Sequence, residues 1–249
     1  MKFSYYWTSE VNQTLEKKIM SCFDKTFYQN SPKNYFKWKY RDNPFGESLH
    51  IIALNKNNVV ATRSFWRLDI DKTKAYQSVD TAVLPKFQRK GIFKRTALMA
   101  VKILKKKIIY NSPNKNSGPA YRKCGWKNIE NSNLTKINIT SLMLNSAPVI
   151  KWDMETLNWR FKNNPVQKYY NLKKDNNYYI FRKIRKKFFL LVGKTNINLD
   201  LNNVRPFVCF TYDYSCKGLP FRLRPPWVLN GKINGKINYK IKSYLFDLT

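Results

Sequence analysis

Residues 80–93, DTAVLPKFQRKGIF, combine three structural signals in one short stretch. A β-type run ends at Pro85, a basic turn follows, and Gly91 comes just before a helical pattern. Unpaired N–H groups at a helix N-terminus carry partial positive charge, so a turn of this kind is suited to binding phosphate. A glycine lets phosphate approach the main chain because it has no Cβ. The stretch therefore predicts an anion-binding turn between a strand and a helix.

The segments around this stretch predict a fold of mixed helices and strands. An apolar stripe at four-residue spacing predicts a helix over residues 9–29, with Ser9 as its N-cap. Two β-type runs within residues 49–68 predict a hairpin across an Asn-rich turn, and residues 75–84 predict a third strand. Residues 92–106 place apolar side chains on one face and lysines on the other, which predicts an amphipathic helix.

The chain is strongly basic. It contains 47 Lys and Arg residues against 15 Asp and Glu residues, a formal net charge of +32 at pH 7. Such a field concentrates anions at the surface, so nucleic acid, anionic lipid, acidic glycan and a nucleotide cofactor are candidate partners. Lysine, asparagine, isoleucine and tyrosine are enriched together, however, as in the product of an AT-rich coding sequence. The charge is therefore compatible with a functional surface and with compositional drift.

Signals for a metal site, a disulfide or a membrane segment are weak. Cys22, Cys124, Cys209 and Cys216 are scattered without a CxxC pair, and His50 is the single histidine, so a zinc site has few ligands. The sequence contains no apolar window of about 18 residues and no apolar signal-peptide core. We therefore expect a cytoplasmic protein with reduced thiols, no metal and no transmembrane segment.

A short motif occurs twice. The pattern W-[KR]-[YF]-x-x-N-P is found at Trp38–Pro44 and again at Trp159–Pro165, and β-type runs follow both copies. Tryptophan is rare and five positions agree, so chance explains the match poorly. We interpret the pattern as an internal duplication with a boundary near residues 145–152. The second copy does not repeat the basic turn and its glycine. Both tryptophans are predicted to be core anchors.

Two stretches of the first half carry a family pattern. Residues 80–93 contain Val83-Leu84-Pro85 and Gln88-Arg89-Lys90-Gly91, and residues 111–126 contain an NSPN segment followed by YRKCGW. Together they resemble the V-x-P, Q/R-x-x-G-x-G/A and N…Y-x-K-x-G-F/W signatures of the GCN5-related N-acetyltransferase (GNAT) family. The resemblance covers roughly residues 5–145. Phe93 departs from the pattern, since the family has glycine or alanine there. A side chain of this size can point into the core as the helix begins.

The resemblance implies an α+β fold. We expect a GNAT-like mixed, mostly antiparallel sheet flanked by helices, followed by a second and smaller GNAT-like α+β half. Residues 1–147 would form the acyl-CoA-binding domain. Residues 148–249 would form a degenerate second half and a candidate acceptor-binding region.

The resemblance also implies a binding site for acyl-CoA, with acetyl-CoA as the expected donor and no metal. Family members separate the strands that correspond to residues 80–84 and 107–111, and the pantetheine arm pairs with the exposed backbone. Main-chain N–H groups of residues 89–94 would bind the pyrophosphate, with basic side chains neutralising its charge. The predicted cofactor-binding residues are Ala82, Val83, Gln88, Arg89, Lys90, Gly91, Ile92, Phe93, Lys94 and Asn114.

Two residues occupy positions where the family carries catalytic groups. Asp80 would be the base that removes a proton from the acceptor, often through water, and Tyr121 would be the acid that protonates the departing thiolate. Each has a structural alternative: Asp80 as a strand-edge carboxylate paired with a lysine, and Tyr121 as an aromatic residue packed under a short helix. Cys124 is expected to be buried and inert, and His50 to be a side chain at a strand end.

These observations lead to an acyl-CoA-dependent acyltransferase acting on an amine or hydroxyl. The expected acceptor is a small or sugar-based molecule, anionic if the basic surface is functional, such as a nucleotide-sugar or a surface-polysaccharide precursor. A Fem-like or N-acyl amino acid synthase-like transferase, with a tRNA- or carrier-linked donor, is the second hypothesis. A non-enzymatic basic module for nucleic acid or membrane surfaces is the third, although no helix-turn-helix, zinc-finger or RNP pattern is visible. The oligomeric state stays open.

Overall fold

The structure is a computed structural model that describes residues 1–70, 73–105, 107–113, 117–128, 133–137, 147, 149–185, 188–204, 206, 208–213 and 227–229. The chain folds into two compact units, Met1–Ile129 with Trp227–Tyr239 and Glu130–Pro226 with Lys240–Thr249. Each unit contains one sheet. The predicted α+β class, a mixed and mostly antiparallel sheet followed by a second and smaller one, is confirmed. The predicted division of roles at residues 147 and 148 stays a prediction.

Within the described residues, the first sheet has seven strands. They are β1 (Lys2–Trp7), β2 (Leu49–Asn55), β3 (Asn58–Arg67), β4 (Ala75–Val83), β5 (Ile108–Asn111), β6 (Lys127–Asn128) and β13 (Trp227–Leu229). Their order is β1-β2-β3-β4-β5-β13-β6, and only β4 and β5 run parallel to each other. The helices of this unit are α1 (Gln13–Phe27), α2 (Ile92–Leu104) and α3 (Gly118–Lys123).

Helix α1 begins later than predicted, and the predicted cap at Ser9 is wrong. Asn12 is the N-cap, since its side chain accepts a hydrogen bond from the Leu15 N–H at 2.9 Å. Ser9 lies in a short 3₁₀ turn, where its own N–H donates to the Glu47 carboxylate at 3.0 Å. Both residues are good caps by type. The contact with Glu47, distant in sequence, fixes Ser9 in the turn instead.

Both faces of the first sheet are covered. Along β3, Phe65 faces the apolar cluster under α2 and α3, whereas the Trp66 indole N–H donates to the Lys39 carbonyl at 2.7 Å on the other face. This alternation is the normal period of a strand. The cluster under α2 and α3 contains Leu49, Ile51, Phe65, Tyr76, Ala100, Leu104, Ile109, Tyr121 and Trp126.

In the part of the second unit that the structure describes, the sheet has six strands and one short helix accompanies it. The strands are β7 (Asn133–Ile137), β8 (Tyr169–Lys174), β9 (Asn177–Arg185), β10 (Phe188–Thr195), β11 (Asn202–Asn203) and β12 (Val208–Asp213), and the helix is α4 (Met154–Leu157). The strand order is β11-β8-β9-β10-β12-β7. Its core includes Ala147, Tyr179, Phe181, Phe189 and Leu191.

The two copies of the tryptophan motif fold alike. Lys37–Arg41 and Asn158–Lys162 are both π-helical turns, and each buries its tryptophan and the next two residues. In each copy the Asn-Pro asparagine accepts a hydrogen bond from the N–H two residues later, at 3.1 Å in the first and 2.9 Å in the second. An antiparallel hairpin follows both, β2–β3 and β8–β9. The shared geometry supports the internal duplication and the assignment of both tryptophans to the core.

Candidate active site

The predicted anion-binding turn connects β4 to α2. The chain makes a 3₁₀ turn over Pro85–Phe87, and then Arg89 (φ 60°) and Gly91 (φ 72°) adopt the left-handed conformation. Gly91 immediately precedes α2, and no side chain in the described part of the chain caps that helix. The first N–H groups of α2 therefore point out of the helix, as an anion site requires.

The turn is open to a ligand. Residues 88–91 are exposed, and apart from Gly91 and its two chain neighbours no described residue has an atom within 4 Å of the position that a Cβ on Gly91 would occupy. The Gln88 side chain donates to the Val83 carbonyl at 3.0 Å, which ties the turn to the end of β4. The side chains of Arg89, Lys90 and Lys94 are exposed around it. Positive charge and accessible main chain thus coincide in this turn.

Strands β4 and β5 separate before β4 ends. Their parallel ladder consists of Ala75–Gln77 against Ile108–Tyr110. Residues 78–83 extend β4 past this ladder, without a β5 partner among the described residues. Ala82 and Val83, predicted to contact the cofactor, belong to this unpaired part. Its free backbone edge can pair with an extended, amide-containing ligand.

Tyr121 lies where the two strands separate. Its hydroxyl is 3.2 Å from Ser78 Oγ, and Ser78 is the first β4 residue past the parallel ladder. The Tyr121 ring is almost fully buried and makes edge-to-face contacts with Phe93 and Trp126, at centroid distances of 5.0 and 4.7 Å. The hydroxyl of the predicted acid is therefore held against β4 by packing on its ring.

Phe93 points inward, as its size predicted. Its side chain is half-buried and packs against the apolar cluster that contains Tyr121. The main chain of Phe93 remains in the first turn of α2. The departure from the family pattern therefore leaves the start of the helix unobstructed and adds a contact to Tyr121.

Asp80 lies in a β-bulge of β4. The register of β4 against β3 shifts between the pairs Ser64–Val79 and Thr62–Ala82. Two β4 residues, Asp80 and Thr81, therefore occupy the ladder position opposite one β3 residue, Arg63. Asp80 has φ 46°, in the left-handed region. A bulge redirects side chains relative to a regular strand.

The Asp80 carboxylate accepts hydrogen bonds from three side chains of the segment before β2. Lys39 Nζ donates at 2.9 Å, the Tyr40 hydroxyl at 2.5 Å and the Tyr35 hydroxyl at 3.1 Å. The side chains of Lys39 and Asp80 are only 3% and 13% exposed. Burial, and then the Asp80 charge, raise the pKa of Tyr35 and Tyr40 well above the usual value, so both hydroxyls stay protonated. Asp80 is therefore paired with a lysine, as expected if its role is structural. Its role as a catalytic base stays a prediction.

His50 is buried beside this cluster. Its Nδ1 is 2.9 Å from Ser64 Oγ, its Nε2 is 3.2 Å from Thr8 Oγ1, and its ring stacks on Phe36. Burial lowers the pKa of His50 to about 3. The imidazole is therefore neutral at physiological pH and serves as a structural hydrogen-bonding group at the start of β2.

The remaining predictions concern Asn114, Cys124, a metal site and a membrane-spanning segment. Asn114 lies outside the described residues. Cys124 is a free, half-buried thiol whose pKa is raised by burial. The described residues contain no cluster of three or more His, Cys, Asp or Glu side chains that could hold a metal ion. Among the helices that the structure describes, none is both long and apolar enough to cross a membrane.

Comparison with known proteins connects this geometry to a family. The family model described as the acetyltransferase (GNAT) family matches residues 12–126. Residues 12–126 therefore form a GNAT acetyltransferase domain. The matched residues include β4, the turn, α2 and Tyr121, the elements that form the candidate site. No curated protein sequence matches the chain significantly.

Several solved structures resemble the fold over most of the chain. A GCN5-related N-acetyltransferase from Kribbella flavida has 7% identity and a TM-score of 0.58, covering 91% of this chain and 71% of that chain. A probable N-acyltransferase from Enterococcus faecalis V583 has 10% identity and a TM-score of 0.55, covering 92% and 72%. Eis1 from Mycobacterium abscessus has 12% identity and a TM-score of 0.56, covering 93% and 74%. At these identities the likeness establishes the fold alone.

Sequence reasoning missed several residues of the GNAT domain site. Lys39, Tyr35 and Tyr40 surround Asp80, and Arg63 lies opposite the bulge. Lys39 had a usable signal, because it occupies the basic position between two aromatic residues in the repeated motif. Arg63 had a weaker one, as a single arginine within the otherwise uncharged run VVATRSFW.

Proposed function

We propose that this GNAT protein transfers an acyl group, normally acetyl, from acyl-CoA directly to an amine or hydroxyl of a small or sugar-based acceptor. The observation that carries the proposal is the unpaired edge of β4, residues 78–83, which leads into the uncapped start of α2. The edge offers backbone groups to a pantetheine arm. The turn offers N–H groups and basic side chains to a pyrophosphate.

The proposed donor contacts follow from these positions. Main-chain N–H groups of residues 89–94 hold the pyrophosphate, while the exposed side chains of Arg89, Lys90 and Lys94 neutralise its charge. Gly91 leaves open space next to the main chain. The full proposed cofactor set is Ala82, Val83, Gln88, Arg89, Lys90, Gly91, Ile92, Phe93, Lys94 and Asn114.

The proposed chemistry is direct attack on the thioester. The acceptor nitrogen or oxygen attacks the carbonyl carbon, the acceptor loses a proton, and the C–S electron pair leaves with the CoA thiolate. Asp80 is the proposed base and acts through a water, since its carboxylate is mostly buried and already accepts hydrogen bonds from Lys39 and two tyrosines. Tyr121 is the proposed acid that protonates the thiolate.

An anionic acceptor fits the charge of the chain best. A formal charge of +32 raises the local concentration of anions such as a nucleotide-sugar or an acidic glycan precursor. A role in polysaccharide biosynthesis, and the second unit as the acceptor-binding region, are parts of this proposal that rest on sequence resemblance and charge.

Calorimetric titration of the full chain with CoA and with pantetheine tests the donor site. We expect CoA to bind at one site per chain in 0.15 M NaCl, and pantetheine, which lacks the pyrophosphate, to bind at least about tenfold more weakly. Tripolyphosphate is the control for unspecific attraction to a basic surface, and it should not displace CoA at equal concentration. Absence of CoA binding would overturn the proposal.

Turnover then identifies the acceptor class. Acetyl-CoA is incubated with panels of amines, sugars and nucleotide-sugars, and released thiol is measured. Stoichiometric RNA that copurifies and is needed for activity would instead favour a donor linked to tRNA. Steeply salt-dependent binding of nucleic acid together with no affinity for CoA would favour a basic binding module.

A further inference from the structure

Arg63 is a buried cation that has no counter-ion among the described residues. Its side chain is fully buried in the middle of β3. No described residue accepts a hydrogen bond from its Nε, Nη1 or Nη2 atoms. A guanidinium stays protonated in proteins, and buried charges are normally paired because their desolvation is costly. An unpaired arginine at such a position therefore calls for a functional explanation.

The surroundings of Arg63 are the groups around Tyr121. The guanidinium carbon lies 4.0 Å from the centroid of the Phe93 ring and 5.5 Å from that of the Tyr121 ring. Burial lowers the pKa of Arg63, and the nearby Tyr121 and Cys124 act in the opposite direction when they carry negative charge. The guanidinium thus lies near the aromatic ring of Tyr121, the residue whose hydroxyl is proposed to lose a proton.

We propose that Arg63 is a positioning residue that orients Tyr121 and supplies the counter-charge when Tyr121 acts as the acid. This inference rests on the proposed function. In the step itself, the C–S bond breaks and its electron pair goes to sulfur. The proton of the Tyr121 hydroxyl moves to that sulfur, which leaves free CoA thiol and a phenolate. The phenolate is reprotonated by the proton that the acceptor has released to water.

The absence of a partner in the resting protein follows from this role. A carboxylate paired with Arg63 would neutralise the cation before the phenolate forms and would oppose negative charge on Tyr121. Phe93 covers the guanidinium instead through a cation–π contact, which offers a weak negative potential without a full charge. Phe93, the residue that departs from the family pattern, can therefore stabilise the Arg63 cation without neutralising its charge.

A double-mutant cycle tests the inference. R63M keeps an unbranched stem of about the length of the arginine stem and removes the charged guanidinium head, and Y121F removes the acid. We expect R63M to lower kcat by about 10- to 100-fold in the parent protein but by less than about threefold in the Y121F background, since a charge that acts through the hydroxyl has no effect without it. The conservative variant R63K should retain more than about a third of kcat.

Further readouts separate this inference from the proposed function. CoA binding by each Arg63 variant, measured by calorimetry, should stay within about threefold of the parent value, because Arg63 is not a proposed CoA ligand. If R63M does not fold, R63Q replaces it in the same cycle. Equal losses of kcat in both Tyr121 backgrounds would overturn the role of Arg63 alone. Loss of CoA binding by the parent chain would overturn the proposed function instead.

Discussion

The Asp80 carboxylate and the Tyr121 hydroxyl lie on opposite faces of β4. Asp80 contacts Tyr35, Lys39 and Tyr40, which cover one face of the first sheet, whereas Tyr121 contacts Ser78 from the side of α2 and α3. In the proposed reaction this places the base and the acid on two sides of the strand edge that receives the thioester. Asp80 would then deprotonate the acceptor from one side of β4, and Tyr121 would protonate the thiolate from the other side.

Replacing Tyr121 by Phe should lower turnover without disturbing the fold. The ring contacts with Phe93 and Trp126 are kept, and only the hydroxyl at 3.2 Å from Ser78 is lost. We expect kcat to fall by about 100-fold, within the range for a general acid, and the free energy of unfolding to fall by about 1 kcal/mol. Thiol release and urea unfolding measure the two effects.

Tyr110→Phe is the matched control for this prediction. Tyr110 is also buried, and its hydroxyl donates to the Leu68 carbonyl at 3.1 Å. We expect a comparable loss of stability with kcat within about twofold of the parent value. Equal kcat losses in the two variants would contradict a chemical role for Tyr121.

Replacing Asp80 by Asn should destabilise the first unit. The change leaves the buried Lys39 ammonium without its carboxylate, and breaking a buried ion pair by removing one partner costs about 3–5 kcal/mol. Urea unfolding should show this loss, and thiol release should show a kcat at least about 100-fold lower.

The double variant K39M/D80N separates the two roles of Asp80. Removing the orphaned ammonium should restore a large part of the stability lost in D80N, since Met matches the length of the lysine stem. Turnover should stay low, because the proposed base is still missing. Recovery of both stability and kcat in the double variant would show that Asp80 has only a structural role.

Replacing Gly91 by Ala should weaken CoA binding more than it weakens the fold. Gly91 has φ 72°, and its Cβ position is open, so the new methyl group meets no described atom but occupies space proposed for the pyrophosphate. We expect the Kd for CoA to rise at least about tenfold and the free energy of unfolding to fall by about 1 kcal/mol. Calorimetry and thermal unfolding measure these quantities.

Gly46→Ala controls for backbone strain. Gly46 also has positive φ, at 104°, and apart from its chain neighbours no described residue has an atom within 4 Å of its Cβ position. The stability loss should be similar or larger, with the Kd for CoA unchanged. A comparable loss of CoA affinity in both glycine variants would indicate that the effect at Gly91 comes from strain.

Local chemistry explains why the turn could be predicted from the sequence. Pro85, the basic residues and Gly91 act within a few residues of one another, so their order already determines a strand, a turn and a helix start. The duplicated motif was equally visible, because buried aromatic residues recur at fixed spacing. The inward direction of Phe93 followed from its size alone.

The surroundings of Asp80 and Arg63 could not be predicted in this way. Lys39 is 41 residues from Asp80 in the chain, and Asp80 lies in a bulge that shifts the register of β4 against β3. The same bulge places two β4 residues opposite Arg63, whose burial depends on the packing of α2 and α3. Strand register and bulges depend on pairing across the whole sheet, and the local sequence pattern carries no information about that pairing.

His50 should make the protein less stable below neutral pH. Its pKa is lowered by burial to about 3, whereas an unfolded histidine titrates near its usual value of 6.5. Above pH 6.5 both states are neutral, so His50 gives no pH dependence there. As the pH falls from 6.5 toward 3, only the unfolded state binds the proton, and the free energy of unfolding falls by up to about 1.4 kcal/mol per pH unit.

The single histidine makes this prediction directly measurable. In a sample without a histidine tag, the imidazole C–H resonances of the folded protein should not shift between pH 7.5 and 5. Urea unfolding over the same range should show stability declining as the pH falls below 6.5, where few carboxylates titrate. A folded-state titration with a midpoint near 6.5 would contradict the burial of a neutral His50 between Ser64 and Thr8.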